Sequence, residues 1–79
     1  MPREQRARWR SRRGMLELDV LLNRFIDACY TDLDSAQQDD FDNLLEQSDV
    51  DLYAWFTGRG ASPDSHIQAL VQKIRQVTD

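Results

Sequence analysis

The sequence predicts an all-α protein, a small compact antiparallel bundle of four to five helices. Three observations carry that prediction. Apolar residues return at three- and four-residue spacing along most of the chain, and no segment alternates convincingly at period two. Glycine and proline are scarce, 3 and 2 residues among 79, and Gly14, Gly58, Gly60 and Pro63 fall at expected helix ends. Apolar residues make up 41% of the chain and charged residues 30%, the balance of a folded soluble domain.

Taken in order, Arg3 to about Arg12 reads as a short polar helix with Trp9 as its one large apolar anchor. Gly14 interrupts it, as a residue free to adopt positive φ. The next helix runs from about Met15 to Tyr30, where Leu18, Leu21, Leu22, Phe25, Ile26 and Cys29 form a broad apolar stripe and the expected centre of the core. A turn leads to Ser35 and Gln38, read as a capping box, and a helix that buries Phe41, Leu44 and Leu45. Ser48 or Asp49 caps the stretch DVDLYAWF, with Leu52, Trp55 and Phe56 on one face, and GRG ends it. Ser62-Pro63 reads as the start of a last helix, with Ser62 as N-cap and Ile67, Leu70, Val71, Ile74 and Val77 as its stripe.

A chain of 79 residues is expected to form a single helical domain over 1–79. Domains of this size bury only about 60% of their unfolded surface and have little depth for an active-site cleft. A binding or assembly module is therefore expected, not an enzyme, with no catalytic residues. Within it, residues 1–13 form a basic N-terminal helix or arm, with six arginines and one glutamate, net +5. Residues 14–79 form an acidic helical body, with four basic and thirteen acidic side chains, net −9. So divided a chain points to a partner that is itself patterned in charge. The start MPREQRARWRSRR lacks the apolar core of a secretory signal, and no run approaches the roughly 20 apolar residues of a membrane span, so a cytoplasmic location is expected.

Several chemistries are set aside. One cysteine, Cys29, excludes an internal disulfide, and with the single His66 it cannot supply a structural zinc site. The acids from Asp32 to Asp51 lack the glycine and closing glutamate of a calcium loop, so no metal is expected there. Asp49-Val50-Asp51 is better read as the charged start of a helix than as a phosphatase motif. Cys29 belongs to the apolar stripe, with no cation offered to activate it. RARWRSRR interleaves tryptophan with cations, as nucleic-acid binders do, but its arginines form no single stripe and the body is acidic. Nucleic acid is not the expected partner; a carboxylate- or phosphate-bearing protein surface suits arginine's planar fork better.

That leaves the stretch SRRGMLELD, Ser11 to Asp19. One reading is a helix–helix corner, with Gly14 as cap and Glu17 in the first turn of the next helix. The other is a contact surface, where a glycine between opposite charges lets a partner's backbone come close and the charges set its register. The residues alone leave both readings open.

The blocks RRGMLELD and LLEQSDVDLYAWF resemble the small bacterial FAD assembly factors called SdhE, relatives of the mitochondrial assembly factors for the succinate dehydrogenase flavoprotein. The family's Arg-Gly-x-x-Glu motif is matched by Arg13, Gly14 and Glu17, and its Asp-Leu-x-x-Trp block by Asp51, Leu52 and Trp55. The resemblance spans about residues 6–75. It implies a small helical bundle that binds the flavoprotein subunit of succinate dehydrogenase, and also that of fumarate reductase, and promotes covalent attachment of FAD to it. It implies that FAD belongs to the client and is not held stably here. Arg13, Gly14 and Glu17 would be partner-binding residues, with Arg8, Trp9 and Asp19 as neighbours on the same face. A monomer is expected in solution. The competing reading is an antitoxin-like or other regulatory binding module that uses the arginine arm.

Overall fold

The computed structural model describes residues 2–78, with side chains through residue 77. Their order is α1 (Arg3–Arg10), α2 (Leu16–Cys29), a 3₁₀ turn (Tyr30–Asp32), α3 (Ser35–Leu45), α4 (Asp49–Phe56) and α5 (Ser65–Thr78). The architecture is all-α, as expected, with no strand among the described residues. α5 packs against α2, α3 and α4, while α1 lies across α2 and α3 at the other side.

Each stripe does what its period requires. Leu18, Leu22, Phe25 and Ile26 of α2 are buried, and Leu21 and Cys29 pack against them at the margin. Phe41, Leu44 and Leu45 come in from α3, Leu52, Trp55 and Phe56 from α4, and Ile67, Leu70, Val71 and Ile74 from α5. At the centre Phe25 and Phe41 stack with ring centroids 5.6 Å apart, and Tyr30 meets Phe41 edge-on at 5.8 Å. Such tilted aromatic pairs add roughly 0.5–1.5 kcal/mol to the burial of their area. Phe41→Ala would remove both contacts together with a fully buried side chain, at a cost of about 3–5 kcal/mol.

Several local expectations are corrected. Trp9 is not the anchor of α1: it is 68% exposed, and Ala7, fully buried, is the residue that seats the helix. A methyl at that position lets the helix axis come close where an indole would hold it off. α1 also ends earlier than expected, at Arg10, because Ser11 is buried and its hydroxyl donates to the Arg8 carbonyl at 2.8 Å. The box on α3 is set one residue earlier, with Asp34 accepting from the Gln37 N–H and the Gln37 side chain accepting from the Asp34 N–H. A carboxylate is the stronger acceptor for the helix N-terminus, and it wins over the adjacent serine. α5 begins at Ser65, not after Ser62: the Asp64 side chain accepts from the His66 and Ile67 N–H groups at 2.9 and 3.3 Å. Ser62-Pro63 belongs to the turn before it, where the Ser62 hydroxyl accepts from the Asp64 N–H. Val77, at the end of the expected stripe, is 40% exposed.

Candidate functional site

Between α1 and α2 the chain turns through Ser11–Met15, and Arg13 occupies the inside of the bend. Its side chain, 14% exposed, reaches away from α2 to the junction of α3 and α4. There Nε donates to Asp49 Oδ1 at 2.7 Å, one terminal nitrogen donates to the Leu45 carbonyl and, at 3.4 Å, back to the Arg10 carbonyl, and the other donates to the Gln47 carbonyl. Leu45 is the last residue of α3 and Gln47 lies just beyond its C-cap, where carbonyls have lost their helical partners. Asp49 is the first residue of α4. One guanidinium thus caps one helix and pairs with the acid that opens the next, a geometry that only arginine's fork supplies.

The backbone of the bend is held as well. The Arg13 N–H donates to Asp19 Oδ1 at 2.7 Å, so Asp19 reaches back from the first turn of α2 to the corner. Gly14 follows with φ +80, in the left-handed region, and a Cβ built there would meet nothing within 4 Å. Glycine is required at this position by the backbone and not by crowding within the fold. Beyond it Leu16 and Glu17 point outward; Leu16 is 74% exposed. Glu17 has no ion-pair or hydrogen-bond partner for its side chain among the described residues.

The six site residues therefore divide. Arg13 and Asp19 are turned into the fold. Gly14, Glu17 and Trp9 are exposed. Arg8 is half-buried against α2, with Nη2 2.6 Å from Asp27 Oδ1 and Nε 4.0 Å from Glu4. Trp9 and Arg8 line a shallow depression with Gln5 and Arg12. Arg13 and Glu17 make no ion pair with each other: the partner of Arg13 is Asp49. Sequence reasoning missed that partner, having read Asp49 only as a helix start. The acceptors Leu45 O and Gln47 O are backbone atoms and leave no trace in residue identity. The consequence is that the two sequence blocks, 36 residues apart, form one physical unit through the Arg13–Asp49 bond. Leu52 and Trp55 of the second block are buried in the core, which accounts for their identity without any partner.

Among the described residues no three His, Cys, Asp or Glu side chains converge to hold a metal ion, and no helix is long and apolar enough to cross a membrane.

Residues 5–78 match the family model described as flavinator of succinate dehydrogenase. The chain is 48% identical over 73 residues to the FAD assembly factor SdhE of Vibrio cholerae, covering 90% of this chain and 85% of that protein. It is 46% identical over 70 residues to the SdhE of Shewanella oneidensis, covering 89% and 85%, and 46% identical to that of Pseudomonas aeruginosa, covering 89% and 83%. With a match over nearly its whole length, and with both motif blocks joined in one helical unit, this chain belongs to the flavinator family of FAD assembly factors.

Proposed function

We propose that the protein is a flavinylation helper: it docks on the flavoprotein subunit of succinate dehydrogenase in the cytoplasm and promotes covalent attachment of FAD to it. The flavoprotein of fumarate reductase is a second client in this reading. The flavin stays with the client, and the helper neither holds it stably nor performs redox chemistry.

The observation that supports this reading is the division of labour at the corner. Arg13 is tied beneath the bend to Asp49 and to the Arg10, Leu45 and Gln47 carbonyls, while Gly14 and Glu17 face solvent above it. A bend held from below presents its outer surface without an ordering cost on binding. Gly14 leaves room for a client backbone, and Glu17 offers a carboxylate that nothing in the fold consumes. Arg8 and Trp9 extend the surface along α1. Arg13 and Asp19 act on the client by holding this surface in shape, not by touching it. A helper of this kind contributes by keeping the client's domains in an attachment-competent arrangement.

The test is in-gel flavin fluorescence of the succinate dehydrogenase flavoprotein in cells lacking this protein, complemented with wild type, Gly14→Arg or Glu17→Ala. Glu17→Ala leaves folding stability within about 0.5 kcal/mol, as for exposed positions generally, yet should reduce covalent flavin severalfold. Gly14→Arg should abolish it at soluble levels comparable to wild type. Equal rescue by all three would reduce the corner to a helix joint. Failure of wild type itself would remove the reading and favour a regulatory module that binds a toxin.

A further inference from the structure

Immediately beside the corner, Met15 forms one wall of a groove whose other wall is α4, with Val50, Tyr53 and Ala54, and whose rim carries Arg59. It encloses about 360 Å³ and its walls are mostly apolar. That is the size of pockets that take small ligands, about 300–1,000 Å³, but it is open to solvent, which suits a side chain presented by a second protein.

Val50 is the residue hardest to explain by folding. It is the second residue of α4, between Asp49 and Asp51, and it is 76% exposed. An acidic or polar residue would serve the helix N-terminus better there. Arg59 is the other unexplained residue. Its N–H donates to the Ala54 carbonyl at 2.8 Å, which fixes its backbone at the end of α4. Its side chain is exposed and meets no carboxylate among the described residues, in a body of net charge −9. The two walls are also fixed relative to one another. Met15 lies two residues after Arg13 and Val50 one residue after Asp49, and Arg13 and Asp49 are bonded at 2.7 Å.

We infer that this groove is a second docking subsite for the client flavoprotein. It receives an apolar side chain from an exposed segment of the client, with a neighbouring client carboxylate seated on Arg59. The inference rests on the flavinylation reading and extends its contact surface from Gly14 across to α4. An apolar seat with one cation at its rim accepts an apolar–acidic pair and rejects an apolar–basic one, so the subsite contributes selectivity as well as affinity.

The experiment measures binding of the full chain to purified flavoprotein subunit by biolayer interferometry, for wild type, Val50→Asp, Arg59→Glu, Arg59→Lys and Gly14→Arg. Val50→Asp places an acid in the first turn of α4, where the helix favours it, so folding is retained and is checked by thermal melts. Val50→Asp should weaken binding about tenfold or more, and Arg59→Glu at least fivefold, with Arg59→Lys close to wild type. Both Val50→Asp and Arg59→Glu binding within twofold of wild type, while Gly14→Arg does not bind, would overturn the groove and leave the flavinylation reading standing. No binding by wild type would overturn both. Sedimentation velocity runs alongside: a wild-type dimer that Val50→Asp converts to monomer, with client binding unchanged, would make the groove a self-contact and overturn the proposal.

Discussion

A lysine at position 13 would keep the charge of Arg13 but could not reach Asp49 and the Leu45 and Gln47 carbonyls together, because its ammonium is a point and not a fork. The site is mostly buried on the arginine side and part-exposed on the Asp49 side, so solvent screens some of the loss. Arg13→Lys should therefore cost about 1–2 kcal/mol, and Arg13→Ala about 2–3 kcal/mol, the range for breaking a part-buried charged hydrogen-bond network. In a domain of this size each kcal/mol lowers Tm by about 4–8 °C. Urea and thermal melts of the two variants read this directly, and two unchanged midpoints would mean that the clasp holds nothing. Gly14 behaves differently. Its substitution by alanine meets no atom and costs only the left-handed backbone, about 1–2 kcal/mol. A Gly14→Arg loss of client binding far beyond that cost belongs to the surface and not to the fold. At this scale the corner is a joint through Arg13 and Asp19, and Gly14 and Glu17 are exposed on it.

Among the elements, the 3₁₀ turn carries a buried side-chain polar atom that the packing leaves unmatched. The Tyr30 hydroxyl is buried without a hydrogen-bond partner among the described residues. Burial foremost pushes its pKa up, with Asp42 adding to the shift and Arg3 opposing it. The folded value lies above the unfolded one, so the contribution is fully present below the ordinary tyrosine pKa of about 10 and is lost as pH rises through the folded value. Tyr30→Phe should thus be neutral to about 1 kcal/mol stabilising at pH 7, since no partner is abandoned. It should also flatten the decline in urea midpoint that wild type shows above pH 10. A Tyr30→Phe variant that declines in parallel with wild type would assign the loss to other groups. The same scale shows what the sequence could carry. The stripes on α2, α3 and α4 were legible because Leu22, Phe25, Phe41 and Trp55 repeat at helical spacing. The caps were legible in kind but displaced: Asp34 and Asp64 take the N-cap places that Ser35 and Ser62 were expected to fill, and periodicity does not rank two acceptors one or two residues apart. Trp9 was misread because a large apolar residue on a polar helix signals an anchor, whereas the contact needed the smallness of Ala7. The clasp was illegible because three of its four acceptors are carbonyls.

Seen as a whole molecule, the chain resolves within itself much of the charge division visible in its sequence. Arg3 bridges Asp39 and Asp42 of α3, Arg8 pairs with Asp27 of α2, Arg10 lies 3.6 Å from Glu46, and Arg13 holds Asp49. The hydrogen bond to Asp39 foremost raises the Arg3 pKa above its ordinary value. Arg6 and Arg12 have no carboxylate partner among the described residues and are exposed to solvent. Against these pairs α1 buries only Ala7, so its seating is largely ionic where that of α2 and α5 is apolar. The two kinds of seating answer differently to salt. Between 0.1 and 1 M ionic strength the Debye length falls from about 10 to about 3 Å, which screens exposed pairs and leaves apolar burial intact or strengthened. Amide exchange in α1 should therefore quicken severalfold over that range, while the central amides of α2 and α5 hold or slow. Sodium sulfate at equal ionic strength should preserve the contrast, since it strengthens burial further. An α1 that exchanges in step with α2 at both salt concentrations would make the arm part of the cooperative core. An α1 that loosens alone would show that it is held by its ion pairs to α2 and α3 and not by apolar burial.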